Sequence, residues 1–196
     1  MYTDGRATAP ASTRGGRTAA ERIAVRWPGL MHLTNASVLR LPTGSRLRRS
    51  LLERAAQAAY EAWSGDKFQE LAKAAADPEI EVYNAQGTEL PVGMDDVYYG
   101  PDGYCRVMEE WNAAWRSWRA EIEDVVEVAP NKVLITARHI GEGLASGAKI
   151  EHWGGALYTF RRGKIVRVDG YLFADKKKLS EAVKSIVESE AAGLSE

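Results

Sequence analysis

At 196 residues, with 45% hydrophobic and 27% charged side chains, the chain has the make-up of one good-sized globular domain plus an appendage. Its single cysteine, Cys105, excludes an internal disulfide framework and cannot begin a zinc cluster, and no apolar run reaches the ~20 residues that cross a bilayer, so a soluble cytoplasmic protein without a membrane partner is expected. The net charge of −1 hides an asymmetry: residues 1–54 carry ten arginines and no lysine against three acids, a balance of +7, and the remainder balances at −8.

Residues 1–18 are rich in Gly, Ala, Ser, Thr and Arg and hold only Tyr2 as a large apolar residue, the composition of a disordered basic tail. The tail lacks interleaved aromatics or a reading helix, so nucleic acid is not the expected partner. Residues 19–44 read as a helical extension that Pro28-Gly29 breaks or restarts. Ser45 is placed to cap a helix carrying Leu51, Leu52, Ala55, Ala59, Tyr60 and Trp63, and Phe68 to Ala75 reads as a second, shorter one. Glu79 to Asn84 alternates as a strand with Ile80, Val82 and Asn84 on one side. Gln86 to Asp102 reads as a long loop of the kind that rims a binding site. A helix from Gly103 to Trp118 is predicted to carry Trp111, Trp115 and Trp118 on one face, with strands following from Ala120. Val133 to Leu172 then gives three strand-like runs joined by short glycine turns, an antiparallel meander, and Lys176 to Ala192 closes the chain as an amphipathic helix.

Five stretches carry a resemblance in their order and spacing: AAQAAYEAWSGDKF, DPEIEVY, YYGPDGYCRVMEEWNAAW, VLITARHIGEGLASG and ALYTFRRGKIVRVDGYL. Together they resemble the SnoaL-like branch of the nuclear transport factor 2-like superfamily, which includes the ketosteroid isomerases and limonene-epoxide hydrolases. The resemblance implies an α+β fold over residues 45–192, with helices closing a strongly curved, mainly antiparallel sheet into a cone around an apolar pocket. It also implies a small hydrophobic organic ligand and frequent homodimerisation through the outer face of the sheet. It does not imply one reaction.

Matched residue by residue, the isomerase base falls on Asn84 and its two oxyanion donors on Ala59 and Ala156. The hydrolase arginine matches Arg138, but the acids that should accompany it fall on Ile140 and Gly170, where the cyclase base also falls. Asp169 lies one residue away, on the opposite strand face unless a bulge at Gly170 re-aims it. Whether the chain is an enzyme is therefore open.

The polar residues assigned to the inward faces are Asn84, Thr136, Arg138, His152 and Tyr158, with Tyr60 and Trp63 from the helix. Arg138 reads as the anion-recognising group, with a structural ion pair as the alternative. If proton transfer of the isomerase, cyclase or hydratase type occurs, His152 or Asp169 is the expected base and Tyr158 or Tyr60 the donor. Trp111, Trp115 and Trp118 read as ligand-stacking residues or, as their helical spacing favours, as core. No histidine has metal-ligand spacing with carboxylates, so neither metal nor cofactor is expected. The rival reading is a noncatalytic dimerisation or scaffold module, favoured by a cone filled with aromatic side chains.

Overall fold

The computed structural model describes residues 28–63, 68–86 and 94–193, without the side chains of 28–31, 85 and 86. The basic tail and the first part of the helical extension lie outside the described residues.

Helix α1 is described over Pro28–Arg40. Helix α2, Arg46–Trp63, follows a turn in which Gly44 adopts φ +76° and Ser45 receives the Arg48 amide on its hydroxyl at 3.4 Å. Helix α3 spans Phe68–Ala75 and runs into strand β1, Ala76–Gln86. The expected long loop contains a short strand, β2, Val97–Tyr99, antiparallel to β1. Helix α4 is Gly100–Ala113, with a proline in its first turn. Strands β3, Trp115–Ala129, β4, Lys132–Gly143, β5, Lys149–Arg161, and β6, Lys164–Phe173, form the meander, and helix α5, Lys176–Gly193, closes the described chain. The six strands form one sheet in the order β2-β1-β6-β5-β4-β3, with β1 parallel to β6 and every other pair antiparallel.

The inner face of the curved sheet is covered by α2, α3 and α4. One cluster joins Ala72, Ile80, Val82, Tyr98, Tyr104, Val107, Ile165 and Val168; a second joins Ala56, Tyr60, Val125, Val133, Ile135 and Ala137, and both reach Tyr158 and Phe160. The outer face carries α5, whose Val183, Ile186 and Val187 pack on Val128, Leu134 and Leu157, with Leu179 almost fully buried. That is the face through which the family resemblance implies pairing of two copies, and here the chain's own helix covers part of it.

One arginine ties the extension to the cone. Arg48, 1% exposed, donates to the carbonyls of Leu39 (2.7 Å) and Leu41 (2.9 Å) at the end of α1 and of Pro130 (2.8 Å) in the β3–β4 turn. Its Nε lies 2.7 Å from Glu127, a charge contact rather than a well-aligned hydrogen bond. His32 adds a bond to the Ala74 carbonyl at 2.5 Å, and Asn35 donates to the Gly163 carbonyl at 3.2 Å. The extension from Pro28 onward thus packs on its own domain.

Two strand irregularities set which residues face inward. The tryptophan helix predicted to reach Trp118 stops at Ala113, and Trp115 and Trp118 belong to β3. Of three register slips between β3 and β4, one falls between Trp115 and Ser117 and another between Ile122 and Asp124. An extra residue in a strand restores to one face side chains an odd number apart. Trp115 and Trp118 therefore both approach the inner face, as do Ile122 and Val125.

Candidate functional site

The pairing register of β4 and β5 places His139 directly opposite His152. Paired residues share a sheet face, and this is the face of Val133, Ile135 and Ala137, beneath the helices. His139 is 5% exposed. The rings of Trp63 from α2, Trp111 from α4 and Trp118 from β3 stand 6.2, 5.9 and 5.7 Å from its own. Trp63 and Trp118 lie 4.4 Å apart, and Trp115 adds a ring 5.4 Å from Trp111. Gly154, beside His152, makes this possible: a Cβ there would sit 2.5 Å from His139 Nε2.

This group leaves an unusual number of ring nitrogens unsatisfied. Nδ1 of His139 and of His152, and the indole N–H groups of Trp63, Trp111, Trp115 and Trp118, are buried without a hydrogen-bond partner among the described residues. Buried polar atoms in folded proteins are nearly all paired, so such a concentration needs a reason. Burial, followed by the neighbouring His152, pushes His139 down to about 4, and burial also lowers His152. Both imidazoles are accordingly neutral at physiological pH, each with one donor and one acceptor nitrogen.

Deeper along the same face three tyrosines converge: Tyr60 from α2, Tyr104 from α4 and Tyr158 from β5. Burial raises all three phenols, Tyr158 to about 12, and the Tyr104 hydroxyl is placed to donate to that of Tyr158. They stay protonated and act as donors rather than bases.

The remaining sequence-predicted residues lie elsewhere. Thr136 and Arg138 alternate with Ala137 and His139 and so face outward, a correction to the inward assignment. Arg138 is held by Glu121 at 2.5 Å and Glu151 at 3.1 Å, the structural ion-pair alternative. Asp169 is also on the outer face: Ala156 pairs with Gly170 and Leu157 with Asp169 in unbroken register, so no bulge at Gly170 re-aims it. Its carboxylate takes three hydrogen bonds from Arg167, at 2.6 to 3.0 Å, and Arg167 lies 4.0 Å over the Tyr83 ring. Asn84 spends its amide on the Asp95 carbonyl at 3.1 Å, fixing the chain's return into β2. His152, Tyr158, Tyr60, Trp63, Trp111 and Trp115 are brought together with Trp118, the third tryptophan of the predicted stripe, with His139, and with Tyr104, which the sequence did not single out.

A groove of about 480 Å³ lined by Pro78, Glu79, Glu81, Tyr99 and Arg161 lies beside the start of β1, apart from this cluster, and its arginine faces Asp77 and Glu79. Among the described residues no group of three or more His, Cys, Asp or Glu side chains is arranged to hold a metal ion, and no helix is long and apolar enough to cross a membrane. Cys105 is buried against the Gln69 carbonyl, and burial raises its thiol.

The profile of the SnoaL-like domain matches residues 56–168, which spans α2 through β6 and includes every residue of the aromatic and histidine cluster. The chain belongs to the SnoaL-like domain family. Solved structures share the fold at low identity. A nuclear transport factor 2-like protein from Anabaena variabilis ATCC 29413 is 11% identical over 69% of this chain and 96% of its own, with a TM-score of 0.54. One of unknown function from Burkholderia pseudomallei K96243 is 14% identical over 68% and 95%, with a TM-score of 0.53. TerC, co-crystallised with polyporic acid, is 16% identical over 69% and 97%, with a TM-score of 0.50. No curated protein matches this SnoaL-like chain in sequence.

Proposed function

We propose that this SnoaL-like domain binds a small, flat, largely apolar organic molecule inside the cone, between the tryptophans and the facing histidines. The observation that carries the reading is the set of buried, unpartnered ring nitrogens on Trp63, Trp111, Trp118, His139 and His152, all on the inner face. A ligand offering oxygen atoms among apolar surface would satisfy them, and a few convergent polar groups in an apolar cavity is how small-molecule sites are built. Tyr158 adds support: it stands between the two inner-face clusters and keeps accessible surface. That TerC, of the same fold, was co-crystallised with polyporic acid is consistent with this use of the cone.

If the bound molecule reacts, the chemistry is proton transfer of the isomerase, cyclase or hydratase type. His152, neutral and half-buried, is the base, and a protonated Tyr158 or Tyr60 donates to the oxygen on which charge develops. Asp169 and Arg138 have no part in it, because each faces outward and is neutralised by its own partner. The rings packed around His139 and the ion-paired Arg138 favour the rival reading, a scaffold module, while α5, which covers part of the outer sheet face at Leu134 and Leu157, leaves less of that face for a second copy.

Native mass spectrometry of freshly purified protein, with any released compound identified after denaturation, tests the reading. A defined organic mass that is lost in a Trp118→Ala, His139→Ala double variant supports it. A compound retained by that variant would place the binding elsewhere.

A further inference from the structure

Of the two facing imidazoles on the inner sheet face, His139 is the more deeply enclosed. It is 5% exposed, and its Nδ1 has no partner among the described residues. The groups packed around it come from four elements: Trp63 on α2, Trp111 on α4, Trp118 on β3 and His152 on β5. None of these is an acid or a permanent cation. The nearest arginine in sequence, Arg138, points to the opposite face and is occupied by two glutamates. A carboxylate entering this space would lose its hydration and find, among the described residues, only neutral donors, an unfavourable exchange. A hydroxyl or ketone loses far less, and a neutral imidazole can either donate to it or accept from it. The indole rings supply flat apolar walls and additional N–H donors.

Resting on the reading of the cone as a ligand site, we propose that His139 determines specificity: its Nδ1 hydrogen-bonds a hydroxyl or carbonyl oxygen of an uncharged aromatic ligand, and the site refuses carboxylates. Gly154 belongs to the same device, since a side chain there would push the imidazole out of position. His139 is thereby a positioning and selecting residue, distinct from His152 across the strand.

Calorimetric titration of the full chain with naphthalene, 2-naphthol and 2-naphthoate separates the possibilities. The expected result is that 2-naphthol binds best and 2-naphthoate worst, by roughly tenfold or more, a margin of the size of one well-made hydrogen bond or one unpaired charge. In His139→Phe, which keeps an aromatic ring, the preference for 2-naphthol over naphthalene should disappear. His139→Gln, which keeps a donor and an acceptor, should retain part of the preference. Equal binding of 2-naphthol and naphthalene to the unaltered protein, or tight binding of 2-naphthoate, overturns the assignment of His139 while leaving the cone as a ligand site. Failure of all three probes to bind overturns both.

Discussion

The environment of His139 makes a quantitative statement about acid stability. Its folded-state value of about 4 lies well below that of an exposed imidazole, because burial and then His152 disfavour the charged form. The unfolded chain therefore binds a proton more readily than the folded one, so the contribution of His139 is complete above about pH 6.5 and is lost as pH falls toward about 4. The linkage relation gives a loss of about 2 kcal/mol by pH 5 and about 3 kcal/mol by pH 4. A His139→Phe variant has no such proton to take up. Urea unfolding of both proteins should show similar stability near pH 7.5, within about 1.5 kcal/mol for a shape-conserving change. The curves should then diverge in acid, the unaltered protein falling faster by about 2 kcal/mol at pH 5. Carboxylates titrate alike in both and cancel in the difference. Parallel curves from pH 7.5 to 4.5 would refute the burial of a neutral His139.

Three further outcomes follow from particular contacts. Arg48→Met should cost at least about 3 kcal/mol in chemical unfolding, because it leaves Glu127 uncompensated and three carbonyls without their donor, and it should speed proteolysis of α1. Arg138→Ala should change stability by less than about 1 kcal/mol and leave 2-naphthol affinity unaltered in calorimetry, since its ion pairs are exposed and outward. Gly154→Ala should weaken 2-naphthol binding and lower the unfolding midpoint by an amount equivalent to about 1–3 kcal/mol, because the new methyl group competes with the His139 ring.

The cone was legible in the sequence because its parts carry strong local signals: the glycine turns of the meander, the capped α2 helix, and the alternation of β5 that put His152 and Tyr158 on one face. Strand β4 misled because both its faces are apolar. Val133, Ile135 and Ala137 pack under the helices, while Leu134 on the other side packs under α5, so polarity does not reveal the phase. Arg138 was placed inward by family matching, and that carried Thr136 with it. The hairpin itself held the answer: the GLASG turn fixes His139 opposite His152, and one inward histidine implies the other. The tryptophans of residues 111–118 fit a helical stripe, and only the bulge near Arg116 lets a strand present Trp115 and Trp118 together. Arg48 gave no signal among Arg46, Arg48 and Arg49, since its distinction arises from carbonyls supplied by α1 and a distant turn.

The claim that the inner face is a ligand site is tested most directly by following the assigned indole N–H resonances, with Trp→Phe variants for assignment, while 2-naphthol is added. The account predicts that Trp63, Trp111 and Trp118 shift together and saturate at one affinity, while Trp153, opposite Arg138 on the outer face, stays still. Saturable shifts confined to Trp153, or none among the inner three, would contradict it.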